Sequence, residues 1–292
     1  MDLKDAIHKR RPHLSESSVR TYTSILRSLY KKMWGGPPDD LSKFDDAKAV
    51  LAHLKNLPAA RRKTVLSALV VLTERDDYRK EMLEDVSTFN KEVNSQKMND
   101  KQKASNISAA EVAAVYDKLA AQAAVLYKKK ELTISDLSEI QDMVILALLG
   151  GVFIAPRRSL DYCAFKVKDI SDKDNYLDKS TLVFHTYKTA KTYGKQEVPC
   201  PKPLVALLKK WFKVNPTEWL LFDSHKKPLS SVKLNQRLNR IFGGKKVAVN
   251  ALRHSYLTHK YAAFSKEQKE MSADMTAMGS SDGMLNTYVR FE

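Results

Sequence analysis

A polar segment without hydrophobic periodicity, residues 94–106, divides this chain of 292 residues into two parts of ordinary domain size. Apolar residues recur at helical spacing on both sides of it, whereas the segment itself offers nothing to bury. We therefore predict a helical domain over residues 1–98, a basic linker over residues 99–106 and a second domain over residues 107–292.

Hydrophobic spacing predicts helices through most of both parts. The clearest covers residues 15–33, where Val19, Leu26 and Met33 fall on one apolar stripe and a Gly-Gly-Pro-Pro run at 35–38 ends the helix. Further helices are predicted at about 46–56, 58–75, 77–93, 108–127, 135–151, 203–214, 230–242, 248–264, 266–278 and 283–290. Between them the period changes, and residues 180–187 and 195–200 are predicted as two strands around a turn near 192–194. The predicted fold class is mainly α with a small antiparallel β-sheet.

Net charge indicates the kind of partner. The chain carries 50 basic and 34 acidic side chains, a net charge of +16. Residues 1–103 hold 21 basic and 15 acidic side chains, and the remainder hold 29 and 19, so both parts are basic. This favours a polyanion bound across both parts, because each neutralised phosphate releases counterions. A lysine-rich solvated surface is the alternative.

Other features bear on the compartment. The longest apolar run, residues 143–156, is shorter than the roughly 20 residues that a membrane-spanning helix needs. The N-terminus has no signal-peptide hydrophobic region, and two cysteines, Cys163 and Cys200, form neither a disulfide framework nor a metal motif. We expect an intracellular protein, in the cytoplasm or the nucleus, with no membrane partner.

Four separated stretches carry residues suited to phosphodiester chemistry. They are Ala-Pro-Arg-Arg-Ser-Leu-Asp (155–161), Lys-Thr-Ala-Lys-Thr-Tyr-Gly-Lys (188–195), Asn-Ala-Leu-Arg-His (250–254) and Asn-Thr-Tyr (286–288). Arginine presents a fixed fork of donors to phosphate oxygens, lysine supplies a proton or a point charge, and tyrosine supplies an oxygen nucleophile. In this order the stretches resemble the catalytic set of the tyrosine recombinases, the phage-integrase family.

The first stretch is similar to the family's first box, Arg-x-x-Glu followed by Leu and Asp-Ile. Here Asp161 stands where Glu is usual and Phe165 where Leu is usual. The resemblance makes Arg158 the phosphate-binding arginine, with Arg157 beside it as a DNA contact. Without the other boxes, these residues would be an ordinary pair of surface arginines.

The second stretch resembles the family's hairpin lysine, which precedes a Val-Pro pair. Lys191 is the residue that this spacing favours, and it would protonate the departing 5′ oxygen. Lys188 and Lys195 are close competitors, and Lys188 is also expected to contact DNA. Any one of them alone would be an ordinary solvated lysine.

The third stretch resembles the second box, usually His-x-Leu-Arg-His-Ser followed later by Thr-His. Arg253 would be the second phosphate-binding arginine, near the start of a helix. Asn250 occupies the position where histidine or lysine is usual, and it can donate a hydrogen bond but cannot carry a proton. Leu252, Tyr256 and His259 are predicted to face inward. His254 is either a catalytic group or a packing residue of the helix.

The terminal stretch resembles the third box, a Leu-Gly-His-Ser followed by the nucleophile. Tyr288 takes the nucleophile's place, and Gly279 or Ser280 stands where histidine or tryptophan is usual. Ser280, His254 and a water are candidates to replace the missing histidine.

The resemblance implies a site-specific DNA recombinase or integrase that cleaves and rejoins DNA through a 3′-phosphotyrosine, without a metal or cofactor. It also implies a two-domain clamp around double-stranded DNA, made of a helical core-binding domain and a catalytic domain. Two or four copies would assemble on the DNA of a mobile element or virus. In the first domain, basic side chains off the apolar stripe of the 15–33 helix are expected to contact DNA: Arg20, Arg27, Lys31 and Lys32.

Two alternatives stay open. A type IB topoisomerase uses the same tyrosine and arginine chemistry but relaxes supercoils as a monomer. A DNA-binding protein of the same fold that has lost catalysis would account for Asn250 and the missing third-box histidine.

Overall fold

The structure, a computed structural model, describes residues 2–289. The chain folds as two compact units, one reaching to Met98 and the other starting at Asn99. Each unit has its own hydrophobic core. The fold is mainly α-helical with one small antiparallel sheet, as the sequence predicted.

Five helices make up the first unit: α1 (Leu3–Arg10), α2 (Glu16–Trp34), α3 (Ala47–Leu54), α4 (Ala59–Thr73) and α5 (Asp76–Asn94). A 3₁₀ turn, Leu41–Asp45, precedes α3. Helix α2 begins where Ser15 accepts a hydrogen bond from the Ser18 amide, and it ends at Gly35, whose φ of 76° suits glycine.

Helices α4 and α5 are joined by a part-buried ion pair. Arg62 on α4 donates two hydrogen bonds, of 2.8 and 2.7 Å, to the carboxylate of Asp85 on α5. The Tyr78 hydroxyl donates to the Phe44 carbonyl oxygen at 2.6 Å and ties α5 to the 3₁₀ turn. These bonds satisfy the Asp85 carboxylate and the Tyr78 hydroxyl, which the core of this unit encloses.

Between residues 99 and 289, the described part of the second unit, lie nine helices: α6 (Asp100–Ser105), α7 (Ala109–Leu126), α8 (Ile134–Leu149), α9 (Ser159–Cys163), α10 (Ala190–Tyr193), α11 (Lys202–Val214), α12 (Ser231–Ile241), α13 (Val249–Ala277) and α14 (Leu285–Tyr288). A 3₁₀ turn, Asp282–Met284, precedes α14. Helices α6, α7 and α8 each begin with a capping box.

The sheet of the second unit has three strands, β1 (Tyr176–Asp178), β2 (Thr181–Phe184) and β3 (Gln196–Pro199), in the order β1-β2-β3. Both pairings are antiparallel. In the second pairing, Phe184 at the end of β2 lies opposite Gln196 at the start of β3. The chain between these two residues carries α10 and the predicted lysine turn.

Helix α8 forms the centre of the second unit, because nearly its whole circumference is buried. Its Asp142 binds Arg237 and Arg240 of α12, the latter at 3.0 Å. Its Gln141 side chain accepts from the Phe222 amide at 2.6 Å and donates to the Phe222 carbonyl oxygen at 3.0 Å. These buried polar groups fix α8 against the elements that surround it.

Several boundaries differ from the sequence prediction. The predicted linker contains the short helix α6. The two helices predicted at 248–264 and 266–278 are one helix, α13, because no glycine or proline interrupts residues 249–277. Helix α1 and strand β1 were not predicted, and residue 290 of the last predicted helix lies outside the described residues. Within residues 2–289, no helix is both long and apolar enough to cross a membrane.

Candidate active site

The positive charges of Arg158 and Arg253 both influence the pKa of one buried carboxylate, that of Asp161. Arg158 is the exposed residue that precedes α9, and Arg253 lies half-buried in the second turn of α13. Asp161 of α9, three residues after Arg158, is almost fully buried. Burial raises the pKa of Asp161, and the positive charges of Arg157, Arg158 and Arg253 oppose that rise. The charges of the two predicted phosphate-binding arginines therefore both influence Asp161, whose carboxylate is hydrogen-bonded by Arg157.

Arg157 faces the protein. Its Nε donates to Asp161 Oδ2 at 2.9 Å, and its Nη1 donates to the Gln196 side-chain oxygen at 2.8 Å. Its guanidinium group lies 4.0 Å from the centre of the Phe184 ring and 5.1 Å from that of Tyr187. Arg157 was predicted to contact DNA, and its contacts instead join α9 to the sheet.

Asn175 is a second link between α9 and the sheet. Its side chain is fully buried and donates to the carbonyl oxygens of Asp161 and Thr186, at 2.9 and 2.7 Å. Its own oxygen accepts from the amides of His185 and Thr186. The chain after β2 is thereby held against the helix that carries Asp161.

Gly151 and Tyr256 join the first arginine box to the second. Gly151 has a φ of 77°, and a Cβ atom added there would lie 2.6 Å from the Tyr256 ring. Tyr256 follows Arg253 by one helical turn, and Gly151 belongs to the loop that leads to Arg158. The close approach sets where the loop of Arg158 runs against α13.

Lys191 lies on the exposed short helix α10, inside the turn between β2 and β3. The Tyr187 hydroxyl donates to the Gly194 carbonyl oxygen at 2.7 Å and closes this turn. Lys188 is exposed beside it. Lys195 pairs instead with Glu197 at 2.5 Å. Lys191 and Lys188 are therefore the lysines of this turn that remain available to a ligand.

The other predicted residues of the second box lie on the surface of α13. Asn250 and His254 are exposed, so both can reach a ligand. Leu252 is buried and Tyr256 is half-buried, as predicted. His259 is exposed, and the prediction that it faces inward was wrong, because the C-terminal part of α13 extends beyond the core.

Tyr288 lies at the end of α14 with 55% of its surface exposed. Within residues 2–289, it forms no hydrogen bond, ion pair or cation–π contact with an arginine. The part of α13 between Arg253 and Ala277 is about 36 Å long at 1.5 Å per residue. Ser280 is half-buried just after α13. This length of α13 lies between Arg253 and the segment that carries Tyr288.

The four basic residues predicted to contact DNA from the first unit lie on the exposed face of α2: Arg20, Arg27, Lys31 and Lys32. Arg27 is the one with an acidic partner, since its Nη2 donates to Asp2 Oδ1 at 3.0 Å. Arg20 and Lys31 line shallow clefts with Arg27 at this face. The position of all four on one helix agrees with a surface that contacts a polyanion.

Sequence patterns missed Asn175, Gln196 and Gly151. Asn175 and Gln196 act through strand register and tertiary contact, which no local motif reveals. Gly151 carried a signal, because a glycine pair at 150–151 before the first box marks a point of close approach or positive φ.

No protein-family model and no curated protein matches the sequence. Several solved structures are similar to the chain, including the following three. A λ integrase dimer bound to a COC′ core site has a TM-score of 0.46 and 16% identity, over 100% of this chain and 80% of that one. A λ integrase tetramer bound to a Holliday junction has a TM-score of 0.45 and 16% identity, over 87% and 70%. XerH site-specific recombinase bound to difH has a TM-score of 0.40 and 14% identity, over 89% and 85%. At these values the similarity concerns the path of the chain, and the activities of those proteins do not transfer to this one through it.

Proposed function

We propose that this protein is a tyrosine recombinase that cleaves and rejoins double-stranded DNA through a 3′-phosphotyrosine at Tyr288. The observation that carries the proposal is that the loop leading to Arg158 packs against the helix of Arg253, through Gly151 and the Tyr256 ring, and that the charges of both arginines influence Asp161. Two guanidinium groups presented by neighbouring elements would bind the two non-bridging oxygens of one phosphodiester. The four ordered sequence boxes and the basic charge of both parts of the chain support it.

The reaction follows from the roles of these groups. Tyr288 has a hydroxyl whose ordinary pKa is near 10, so its attack on phosphorus needs an activated phosphate. Arg158 and Arg253 neutralise the charge that grows on the phosphoryl oxygens, and the loss of one such donor costs about 3–4 kcal/mol. The tyrosine hydroxyl gives up its proton to water and its oxygen bonds to phosphorus. The bond to the 5′ oxygen breaks, and Lys191 donates the proton that yields a 5′-hydroxyl. Asn250 and His254, exposed on α13, supply further donors to the phosphate.

The position of Tyr288 sets a condition on this proposal. Its hydroxyl has to approach a phosphate held between Arg158 and Arg253, yet α13 separates the tyrosine segment from Arg253. DNA binding therefore has to bend α13, or a second copy has to supply the tyrosine. Assembly of two or four copies on DNA is part of the proposal.

The first experiment is the trapping of a covalent adduct on a denaturing gel. Labelled supercoiled and nicked DNA from the protein's own genetic neighbourhood is mixed with the wild type, with Tyr288→Phe and with Tyr261→Phe. Tyr261 is the matched control, since it is another exposed tyrosine of the same C-terminal region. We expect a protease-sensitive adduct with the wild type and Tyr261→Phe, and none with Tyr288→Phe. An adduct with Tyr288→Phe would refute the assignment of the nucleophile.

A mixture of Arg253→Ala and Tyr288→Phe tells apart the two ways of delivering the tyrosine. Recovery of the adduct in the mixture means that a second copy supplies Tyr288, and its absence means that α13 bends within one chain. A strand-joining assay separates recombination from supercoil relaxation.

A second function, DNA binding without catalysis, is favoured by the separation of Tyr288 from the arginines and by Asn250 in place of a proton carrier. Salt-sensitive DNA binding by a wild type that forms no adduct on any of these substrates would support it.

A further inference from the structure

We infer that Arg157 and Gln196 form a positioning pair that fixes the Lys191 turn relative to the phosphate-binding arginines. This inference rests on the proposed function, because it assigns a purpose to the orientation of Lys191. It adds two residues to the site, neither of which touches the reacting atoms.

Arg157 contacts the base of the turn that carries Lys191. The turn that carries Lys191 leaves β2 at Phe184 and enters β3 at Gln196, and these two residues are register partners. The guanidinium group of Arg157 lies over the Phe184 ring and donates to the Gln196 side chain at 2.8 Å. Arg157 thus covers the base of the turn and contacts both of its strands.

Arg157 also contacts the turn itself, through the Tyr187 ring. The Tyr187 ring, 5.1 Å from the Arg157 guanidinium group, carries the hydroxyl that donates to Gly194 at 2.7 Å. Tyr187 and Gly194 flank α10, on which Lys191 lies. Arg157 therefore supports both the strands and the residue that closes the turn.

Arg157 also connects the turn to the proposed phosphate site, through Asp161. Arg157 directly precedes Arg158, and its Nε donates to Asp161 Oδ2 at 2.9 Å. Asp161 is also the carboxylate whose pKa the charges of Arg158 and Arg253 lower. One side chain is thereby bound to the arginine site on one side and to the Lys191 turn on the other. Only 17% of the Arg157 side chain is exposed, so it is largely withheld from DNA.

Proton donation by Lys191 depends on where its turn is held. A general acid must lie within hydrogen-bond reach of the leaving oxygen, and a misplacement of about 1 Å can cost on the order of a hundredfold in rate. Lys191 is exposed, and no ion pair holds it among the described residues. The orientation of its turn then depends on the contacts at the base.

The test uses Gln196→Met, which removes the acceptor but keeps the length of the side chain, and Gln196→Glu, which keeps an acceptor for Arg157. Glu197→Ala is the matched control, because Glu197 is the next residue of β3 and pairs with Lys195. Urea unfolding first establishes that the variants are folded.

The positional part is tested without catalysis, by limited trypsin digestion followed by mass spectrometry. We expect Gln196→Met to be cut several times faster after Lys188 and Lys191 than the wild type, with Gln196→Glu and Glu197→Ala near the wild type. Equal cutting of Gln196→Met and wild type would overturn the inference and leave the proposed function untouched.

The chemical part compares single-turnover cleavage of DNA that carries oxygen or sulfur as the 5′ leaving atom at a mapped cleavage site. A thiolate departs without protonation, because the ordinary pKa of a thiol is near 8.5. Lys191→Ala is expected to slow cleavage of the oxygen substrate by on the order of 10²–10⁴ and to recover with sulfur. Gln196→Met is expected to slow the oxygen substrate by about ten- to a hundredfold and also to recover with sulfur, whereas Gln196→Glu stays near the wild type.

The outcomes separate the two claims. If Lys191→Ala recovers with sulfur but Gln196→Met is equally slow on both substrates, or is not slowed at all, the positioning role is wrong and the proposed function stands. If Lys191→Ala is equally slow on both substrates, Lys191 is not the general acid, and the inference falls with that part of the proposal.

Discussion

The ring of Tyr256 packs on the backbone of Gly151 so closely that a methyl group at residue 151 would lie 2.6 Å from the ring carbon Cδ2. The contact joins the loop before Arg158 to the helix of Arg253. No side chain larger than hydrogen fits there without displacing the ring or the loop. The spacing of the two arginines therefore depends on a glycine outside both boxes.

Gly151→Ala is expected to lower the free energy of unfolding by about 2–4 kcal/mol, because it adds overpacking to the strain of a left-handed backbone. Gly243→Ala is the control, since Gly243 has a φ of 66° but open space around its added Cβ atom. It is expected to cost about 1–2 kcal/mol. Urea unfolding measures both. Equal losses would mean that the Tyr256 contact contributes nothing.

Arg158→Ala and Arg253→Ala are each expected to slow adduct formation by on the order of 10²–10³, because each removes a donor from the charged transition state. DNA affinity should fall far less, since many basic side chains share the phosphate contacts. The measurement is a single-turnover trapping time course together with a binding titration.

Lys246→Ala is the control for these two variants, because Lys246 is an exposed cation in the loop before α13. A similar loss of rate in that variant would show that general charge, and not the pair of arginines, carries the effect.

Much of the fold could be predicted because its helices follow local rules. Ser15 and Gly35 bound α2, and the capping box at Ser108 begins α7. The predicted split of α13 at residue 265 was wrong, because residues 249–277 contain no glycine or proline that would end a helix. Strand β1 is three residues long, too short for an alternating pattern to be recognised.

The candidate site was predictable to a different degree. Arg158 and Arg253 belong to recognisable boxes, and the charges of both lower the pKa of Asp161. The roles of Gln196 and Asn175 depend on which residue of β3 lies opposite Phe184 and on which loop lies over α9. Those contacts arise from tertiary packing, so no local sequence pattern contains them.

Acid stability provides a prediction about the centre of the second unit. Lys129 donates to Asp136 at 2.7 Å, and the Thr133 amide and hydroxyl donate at 3.0 and 2.9 Å, so the pKa of Asp136 is lowered to about 2. A carboxylate with a depressed pKa stabilises the fold above its unfolded pKa near 3.8, and this stabilisation is lost as the pH falls towards about 2.

Asp136→Asn is therefore expected to lower the urea midpoint at pH 6 and to flatten its decline between about pH 4 and pH 2. Asp117→Asn, at an exposed position of the neighbouring helix α7, is the control and should leave both unchanged. An unaltered pH profile for Asp136→Asn would mean that the cap of α8 does not contribute through its charge.

Because Arg27 is paired with Asp2, substitutions of the two residues are expected to change DNA affinity in opposite directions. Arg27 lies on the exposed face of α2 that we propose contacts DNA, and Asp2 competes for it at 3.0 Å. Each phosphate that the protein neutralises steepens the dependence of log K on log salt by about 0.9. Arg27→Ala is thus expected to weaken binding and to reduce that slope by about one.

Asp2→Asn is expected to tighten DNA binding, because it removes a negative charge and frees the guanidinium group for a phosphate. Binding titrations on one duplex at several salt concentrations measure both variants. Lys55→Ala, which removes an exposed cation after α3, is the matched control for the loss of one charge. If Arg27→Ala and Lys55→Ala change the slope equally, the effect comes from net charge, and the face of α2 is not the contact surface. If Asp2→Asn weakens binding, the ion pair orients Arg27 for the phosphate instead of competing with it.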